Sequence, residues 1–357
     1  MAKVFINGAG GFFGSHIVEE FVREGHKVTA CARPRTDVSI AEKAGAKIAR
    51  ADVTDAASLR KVIDGHEIVV NVAGIFDMSA PAEILYKVNH AGTRNLCEAV
   101  AQVGCKRLVQ ISTVAVYGPS REDPCGEDAE KHPNHPYGKS KWAGEQVAFE
   151  YGRAHGFEVA AIRPTLVYGP RSQYGHAMYL AFFALLAHRG QKKVPMIDSG
   201  PRTHQVHIQD VRRAAHLVAF HPKAAGEAYN VVDDHPVTVK EFAMPILDAY
   251  GLGIAFEIPY MPPVWRGILS TLLAILPRDM PIINRRLESQ WKEMATAKGL
   301  VTPFAPRLDK DYMLYVARDF VLDNAKIKSL GFAFDYPDYR TGMTEAIAWY
   351  RQARWMP

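Results

Sequence analysis

The chain has 357 residues, of which 48% are hydrophobic and 23% charged, and its formal net charge is +5. This length suits one large α/β domain or two domains that share a cleft, and the composition is ordinary for a globular protein. Because Lys and Arg are scattered, nothing favours nucleic-acid binding, and the longest apolar runs, Ala177–Ala187 and Ile268–Leu276, are too short to span a bilayer.

The first predicted element is a short buried strand, Val4–Ile6, followed by a glycine-rich turn and an amphipathic helix start, Ile17–Val22. Glycine lets the backbone approach a pyrophosphate closely, and the N–H groups that begin a helix attract anions. An ordinary strand-to-helix turn is the alternative. We predict a dinucleotide cradle formed by Gly8, Gly11, Phe12, Phe13 and Gly14.

Strands and helices then alternate along the chain. The predicted strands are 27–33, 47–51, 67–71, 107–111 and 159–163, and the predicted helices are 40–44, 58–63, 84–103 and 137–155. This alternation predicts right-handed βαβ units and an α/β fold with a doubly wound parallel sheet, the Rossmann arrangement.

The pattern loosens after residue 170. The segment Ala177–His188 is apolar almost all round, which predicts a helix that is buried or lines an apolar cavity. Val206–Asp210 and Ala228–Val232 are predicted to be short strands, and proline-rich Pro259–Pro306 indicates a separate lobe. We therefore predict a cofactor-binding domain over 1–170 with returns near 206–232, and a smaller, mainly substrate-binding lobe over 171–357.

Arginines follow the second predicted strand, where an acidic residue for the ribose 2′-hydroxyl of NAD would be expected. Arg33 and Arg35 stand there, and a guanidinium suits a 2′-phosphate. We predict that Arg33 gives a preference for NADP(H), although NAD(H) binding and a solvated Arg33 stay open. Residues after the third and fourth strands are expected near the adenine and the second ribose, unless they are plain strand ends: Asp52, Val53, Ala73 and Gly74.

Tyr137 and Lys141 lie four residues apart in a predicted helix and therefore share one face. A neighbouring ammonium favours the phenolate form of tyrosine, which makes such a pair fit to exchange a proton with an alcohol or a carbonyl. The preceding strand ends in the hydroxyls of Ser112 and Thr113, at the sheet edge where ligands bind in such folds. A solvated helix face is the alternative interpretation of the Tyr-x-x-x-Lys pattern alone.

Taken together, these motifs resemble the extended short-chain dehydrogenase/reductase superfamily. The resemblance rests on Gly8-x-x-Gly11-x-x-Gly14, Tyr137 with Lys141, Asn89, and Arg163-Pro-Thr-Leu-Val-Tyr-Gly-Pro170. The C-terminal part is most similar to the 3β-hydroxysteroid and sterol-4-carboxylate dehydrogenase-like branch. We identify the chain as an NAD(P)-dependent enzyme of the epimerase/dehydratase-like group on this basis.

The resemblance implies a role for each matching residue. Tyr137 would be the catalytic acid/base, and Lys141 would bind the nicotinamide ribose and tune that tyrosine. Thr113 would hydrogen-bond the reacting oxygen, with Ser112 as the second candidate. Pro164 and Leu166 would border the nicotinamide carboxamide. The helices 84–103 and 137–155 would pair with those of a second copy in a homodimer.

The apolar lobe favours a hydrophobic, sterol- or lipid-like secondary alcohol or ketone as substrate. In the sugar-nucleotide members of the superfamily an arginine usually binds the substrate pyrophosphate, and His204 occupies that place here. A nucleotide-sugar epimerase or dehydratase is the alternative, and a non-catalytic nucleotide sensor is the second alternative. Dehydration is disfavoured because Val114 and Ala115, rather than an acidic pair, follow Thr113.

Two further features concern location and metal binding. The cysteines, without a CxxC pair, are typical of reduced thiols and predict a cytoplasmic protein. A membrane-surface contact through an apolar helix stays open, and the residues that would make it are Trp265, Leu269, Leu272 and Leu273. His132 and His135, near Cys125 and Glu127, suggest a metal site, but the prolines around them favour a loop, and we expect no metal.

Overall fold

Thirteen strands and thirteen α-helices are described in the computed structural model, which covers residues 1–119, 122–277, 280–308 and 318–357 without the side chains of Arg266, Leu273 and Ala274. The strands are β1 (Lys3–Asn7), β2 (Lys27–Ala32), β3 (Lys47–Arg50), β4 (Ile68–Asn71), β5 (Arg107–Ile111), β6 (Glu158–Pro164), β7 (Leu166–Tyr168), β8 (Lys193–Ile197), β9 (Arg202–Thr203), β10 (Gln205–His207), β11 (Ala228–Val231), β12 (Val237–Thr238) and β13 (Gly253–Ile258). The helices are α1 (Phe12–Arg23), α2 (Ser39–Lys43), α3 (Ala56–Ile63), α4 (Ala82–Tyr86), α5 (Gly92–Val103), α6 (Pro136–His155), α7 (His176–His188), α8 (Ile208–Phe220), α9 (Val239–Tyr250), α10 (Pro262–Ile275), α11 (Pro281–Ala297), α12 (Ala325–Lys328) and α13 (Tyr339–Gln352).

The described chain divides into two units. The first contains Met1–Thr165, Ile208–Val232 and Leu322–Asp335. The second contains Leu166–His207, Asp233–Val321 and Tyr336–Pro357.

A seven-stranded sheet organises the first unit, in the order β3–β2–β1–β4–β5–β6–β11, and every neighbouring pair is parallel. All residues of β4 and β5 are buried, as expected for strands covered on both faces by helices. An apolar cluster on one side contains Phe5, Val69 and Leu108 from the sheet together with Leu59 and Leu96 from helices. The predicted doubly wound parallel sheet is confirmed.

The chain is helical throughout the predicted helix Ile84–Val103, but it is not α-helical over its whole length. The helix begins at Ala82, and residues Lys87–Ala91 form a π-helical turn between α4 and α5. Within this turn the Asn89 amide nitrogen donates to the Ser140 hydroxyl at 3.0 Å. A π turn is often found at a functional site, and this one faces the N-terminal half of α6.

The predicted strand Val206–Asp210 is wrong over its second half, because α8 begins at Ile208. The predicted run has only five residues, and periodicity alone does not separate a short strand from the first turn of a buried helix. The first half forms β10, which pairs in parallel with β7 inside the second unit. The predicted strand Ala228–Val232 does join the main sheet, as β11.

The second unit has its own core and three two-stranded sheets, β10–β7, β12–β9 and β13–β8. Fully buried Trp291, Tyr168, Tyr339 and Tyr350 lie in its main apolar cluster. Leu180 and Leu185 of α7 belong to the same cluster. The all-round apolar character of α7 is therefore accounted for by core packing.

Candidate cofactor and catalytic site

The glycine turn between β1 and α1 leaves no room for side chains. Gly8 has φ +68°, and a Cβ at Gly8 would lie 2.7 Å from the backbone nitrogen of Ala73. A Cβ at Gly14 would lie 2.0 Å from the carbonyl oxygen of Gly8. The helix begins at half-buried Phe12 and Phe13, and no side chain caps its N-terminus at Gly11. A cradle of backbone with uncapped helix N–H groups fits the pyrophosphate of a dinucleotide.

Asparagine and glutamine side chains at the strand ends hold the loop that faces this turn. Asn7 Oδ1 accepts the N–H groups of Val72 at 2.6 Å and Ala73 at 3.0 Å. Asn7 Nδ2 donates to Asn71 at 2.7 Å, and Asn71 donates to Gln110 at 2.8 Å. This network was missed from the sequence. Its signal was an amide residue at or near the end of each of three apolar strands.

The predicted adenosine-side residues lie around the ends of β2 and β3. Arg33 is exposed, and Arg50, which sequence reasoning missed, donates to the carbonyl oxygen of Arg33 at 3.0 Å. Asp52 Oδ1 accepts the N–H and the hydroxyl of Thr54 at 2.9 and 2.8 Å. The backbone hydrogen bond from Thr54 is the largest cause that lowers the pKa of Asp52, and Arg33 adds to it. Contact of Asp52 and half-buried Val53 with the adenine stays a prediction.

The N-terminus of α6 positions Tyr137 and Lys141. His135 caps the helix, because its Nδ1 accepts the Tyr137 N–H at 3.1 Å. Tyr137 is 7% exposed, and its ring meets the ring of Phe76 edge to face at 5.1 Å. Lys141 Nζ donates to the carbonyl oxygen of Ile111, the last residue of β5, at 2.6 Å. The pair Tyr137 and Lys141 and the end of β5 are thus brought together.

Two hydroxyls directly follow Ile111, and both residues are buried. Thr113 Oγ1 accepts the N–H of Ala115 at 3.2 Å. Ser112 Oγ, by contrast, has no hydrogen-bond partner among the described residues. Thr113 and Ser112 therefore both stay candidates for the contact with a reacting oxygen.

Gly74 and Asn89 border the lysine. A Cβ at Gly74 would lie 3.1 Å from Asn89 Oδ1 and 3.7 Å from Lys141 Nζ. Asn89 also accepts the N–H of Ile75 at 2.8 Å, so the loop after β4 is fixed beside the ammonium group. A small residue at position 74 keeps the space next to Lys141 Nζ open.

Burial lowers the pKa of Lys141 to about 8, and Glu145, one turn further along α6, partly opposes this effect. The Glu145 carboxylate is itself buried and accepts from Arg163 through Nε at 3.2 Å and through Nη2. Arg163 also donates to the hydroxyl of Tyr117 at 2.8 Å. The charge that stabilises the ammonium is therefore shared with a buried guanidinium.

We expect Lys141→Met to raise the free energy of unfolding at neutral pH by about 2–3 kcal/mol while activity is lost, because burying the charge costs that much. The wild type gains stability as the pH rises from about 8 to 10.5, since the unfolded chain keeps a proton that the folded chain has released. Urea unfolding at pH 7 and near pH 10 measures the difference in the free energy of unfolding between the variant and the wild type. This difference should shrink at the higher pH. Lys139→Met, at an exposed position of the same helix, is the control. An equal change in both variants would contradict this account.

The remaining predicted residues are located as follows. Pro164 ends β6 in the first unit, and Leu166 begins β7 in the second.

The described residues contain no group of three or more His, Cys, Asp or Glu placed to hold a metal ion. All four cysteines are buried, and none of them is in a disulfide bond. Among the described helices, none has the length and apolar character needed to cross a membrane.

Comparison with known proteins identifies the family. Residues 4–231, more than half of the chain, match the model of the NAD dependent epimerase/dehydratase family. The dTDP-glucose 4,6-dehydratase of Streptomyces niveus is 30% identical over 271 residues, covering 70% of this chain and 78% of that protein. The 3 beta-hydroxysteroid dehydrogenase/Delta 5-->4-isomerase of Mycobacterium tuberculosis is 25% identical over 266 residues, covering 70% of each.

Solved structures agree on the fold. The UDP-glucose 4-epimerase of Thermotoga maritima, solved with UDP-glucose, has a TM-score of 0.72 and 21% identity. The alignment covers 98% of this chain and 99% of that one. The chain therefore belongs to the NAD dependent epimerase/dehydratase family, within the extended short-chain dehydrogenase/reductase superfamily, and is an NAD(P)-dependent enzyme of that type.

Proposed function

We propose that the protein is a reversible oxidoreductase that moves a hydride between NADP(H) and a secondary alcohol or ketone of a hydrophobic, sterol- or lipid-like molecule. The observation that carries the proposal is the buried pair on α6. Lys141 Nζ is held by the carbonyl oxygen of Ile111, one helical turn from buried Tyr137 and next to the hydroxyls that follow β5. This arrangement suits proton exchange with an alcohol oxygen.

Each residue of the proposed site would have its own role in the reaction. Tyr137 would give or take the proton at its phenolic oxygen, and Lys141 would favour the phenolate by its charge. Thr113 or Ser112 would hold the reacting oxygen, and the turn over Gly8–Gly14 would bind the pyrophosphate. A bound nicotinamide supplies the hydride acceptor or donor. Because Tyr137 and Lys141 are both present, a purely nucleotide-sensing role is the weaker alternative.

Exposed Arg33 supports the NADP(H) preference, since a guanidinium next to the adenine ribose favours a 2′-phosphate. We expect Arg33→Ala to weaken NADPH binding by about tenfold or more and to leave NADH binding within about twofold. Titration of cofactor fluorescence measures both dissociation constants. Arg35→Ala, an exposed arginine of the same loop, is the matched control. Equal or tighter binding of NADH by the wild type would contradict the preference.

Contacts between basic side chains and carboxylates within the second unit support an apolar substrate over a sugar nucleotide. His204, at the place of the usual pyrophosphate-binding arginine, is buried with its Nδ1 3.0 Å from Asp233. The nearby Arg202 donates to Asp319 through Nε at 3.0 Å and through Nη2 at 2.9 Å. Both groups already have carboxylate partners. A dianionic pyrophosphate would have to displace them, whereas an apolar ring system would not.

A nucleotide-sugar epimerase or dehydratase is the second candidate, and the likeness to the dTDP-glucose 4,6-dehydratase favours a nucleotide sugar as the substrate. A dehydratase reaction has less support, because Val114 and Ala115 follow Thr113. Thermal-shift screening with NADPH present distinguishes the substrate classes. Stabilisation by polycyclic alcohols or ketones supports the proposal, and stabilisation by nucleotide sugars alone overturns it.

Dimerisation through α5 and α6 is also proposed, and light scattering tests it.

A further inference from the structure

The second unit has an apolar helix whose larger side chains point outward. On α10, Val264, Ile268, Leu272 and Ile275 are 50%, 51%, 37% and 71% exposed. Their spacing of four, four and three residues places them on one helical face. We call these residues the α10 stripe. Leu269, at 2% exposed, is the one buried side chain among those described on this helix.

Further exposed apolar side chains precede and follow the α10 stripe along the chain. Phe256, Ile258 and Met261 precede it, with exposures of 59%, 46% and 53%. Ile282 and Ile283 follow at the start of α11, with exposures of 83% and 45%. Single exposed apolar residues are ordinary, but nine within 28 residues of chain mark a surface that binds something.

The charge of this segment indicates the partner. Between Phe256 and Leu287 the sequence has four arginines, Arg266, Arg278, Arg285 and Arg286, and two acidic residues, Glu257 and Asp279, of which Glu257 pairs with Lys240 at 2.7 Å. Arg285 and Arg286 are exposed directly after the exposed isoleucines of α11. In a symmetric pair of subunits the same patch would face itself and bring these like charges together. An anionic lipid surface would complement them.

We propose that the α10 stripe and the start of α11 dock on the surface of an anionic bilayer. The apolar side chains enter the boundary between headgroups and acyl chains, and Arg285 and Arg286 contact lipid phosphates. Tyr260 and Trp265, whose rings lie 6.5 Å apart at the start of α10, are of the type enriched at membrane interfaces. The docking is peripheral, and it does not depend on the reaction proposed above.

Co-sedimentation of the full chain with vesicles tests the proposal. We expect binding to vesicles of phosphatidylcholine with about a third phosphatidylglycerol, and at least about tenfold weaker binding to phosphatidylcholine alone or in about 0.5 M salt. Ile268→Glu combined with Leu272→Glu should weaken binding by about tenfold or more. Arg285→Glu combined with Arg286→Glu should remove the preference for anionic vesicles.

Ile84→Glu changes an isoleucine that is 46% exposed on α4 of the first unit, and its vesicle binding should equal that of the wild type. If the double variant does not fold, Ile275→Glu, at a position that is 71% exposed, replaces it. Absence of wild-type binding to anionic vesicles would overturn the proposal. So would a wild-type dimer that becomes monomeric in the Ile268/Leu272 variant without any vesicle binding, because the stripe would then be a subunit interface.

Discussion

Tyr137→Phe is expected to lower turnover by about 10²- to 10⁴-fold and to change the Kd for NADPH by less than about threefold. The substitution removes one oxygen atom, and the buried ring keeps its edge-to-face contact with Phe76. The helix cap, in which His135 Nδ1 accepts the backbone N–H of residue 137, is unaffected. The loss should therefore appear in kcat, measured by the change in nicotinamide absorbance.

Tyr151→Phe provides the control, because it makes the same change on the same helix. The Tyr151 hydroxyl donates to Glu98 at 3.2 Å, away from the end of β5. This variant should keep wild-type turnover. If Tyr137→Phe also kept wild-type turnover, Tyr137 would not be the acid/base, and the proposed reaction would have to use another group.

Gly8→Ala is expected to abolish cofactor binding and to destabilise the fold more than Gly65→Ala does. Both glycines have positive φ, +68° and +75°, so both variants place a Cβ in an unfavourable backbone conformation. This costs about 1–2 kcal/mol. At Gly65 no described atom lies within 4 Å of the new Cβ, whereas at Gly8 the backbone nitrogen of Ala73 is 2.7 Å away.

The comparison thus isolates the close approach of the backbone to the Ala73 loop. Urea unfolding should give at least about 2 kcal/mol more destabilisation for Gly8→Ala than for Gly65→Ala. NADPH titration should show binding only in the wild type and in Gly65→Ala. Equal destabilisation with retained binding in both variants would mean that the turn over Gly8–Gly14 does not form the cradle.

The parallel sheet was predictable because its strands are covered on both faces. Runs such as Val4–Ile6 and Ile68–Val70 are wholly apolar, which is typical of a buried parallel strand. The alternation with helices then predicted right-handed βαβ units and a doubly wound sheet. The face shared by Tyr137 and Lys141 followed from helix geometry alone.

Tertiary contacts decided the features that the sequence did not predict. Asn89 lies in a π turn, and its amide group bonds to Ile75 and Ser140, contacts that the local sequence does not predict. The lowered pKa of Lys141 depends mainly on burial, which spacing does not predict. The direction in which α10 presents its apolar residues depends on what the helix packs against, so its sequence was equally consistent with a buried face.

Part of the predicted membrane contact lies outside the described residues. The side chain of Leu273 is not described, and Leu269 is buried at 2% exposed. Leu272 does belong to the exposed α10 stripe. The residues that α10 exposes therefore differ from the four that the sequence predicted for a membrane contact.

Hydride transfer from an apolar alcohol is tested most directly with deuterium. The enzyme is mixed with NADP⁺ and a polycyclic secondary alcohol deuterated at the carbinol carbon, and both products are analysed by mass spectrometry. The proposal predicts one deuterium in the reduced nicotinamide, with the ketone as the other product, and loss of this transfer in Tyr137→Phe. The absence of deuterium in the cofactor with every polycyclic alcohol, together with epimerisation of a deuterated nucleotide sugar without net cofactor reduction, would contradict it.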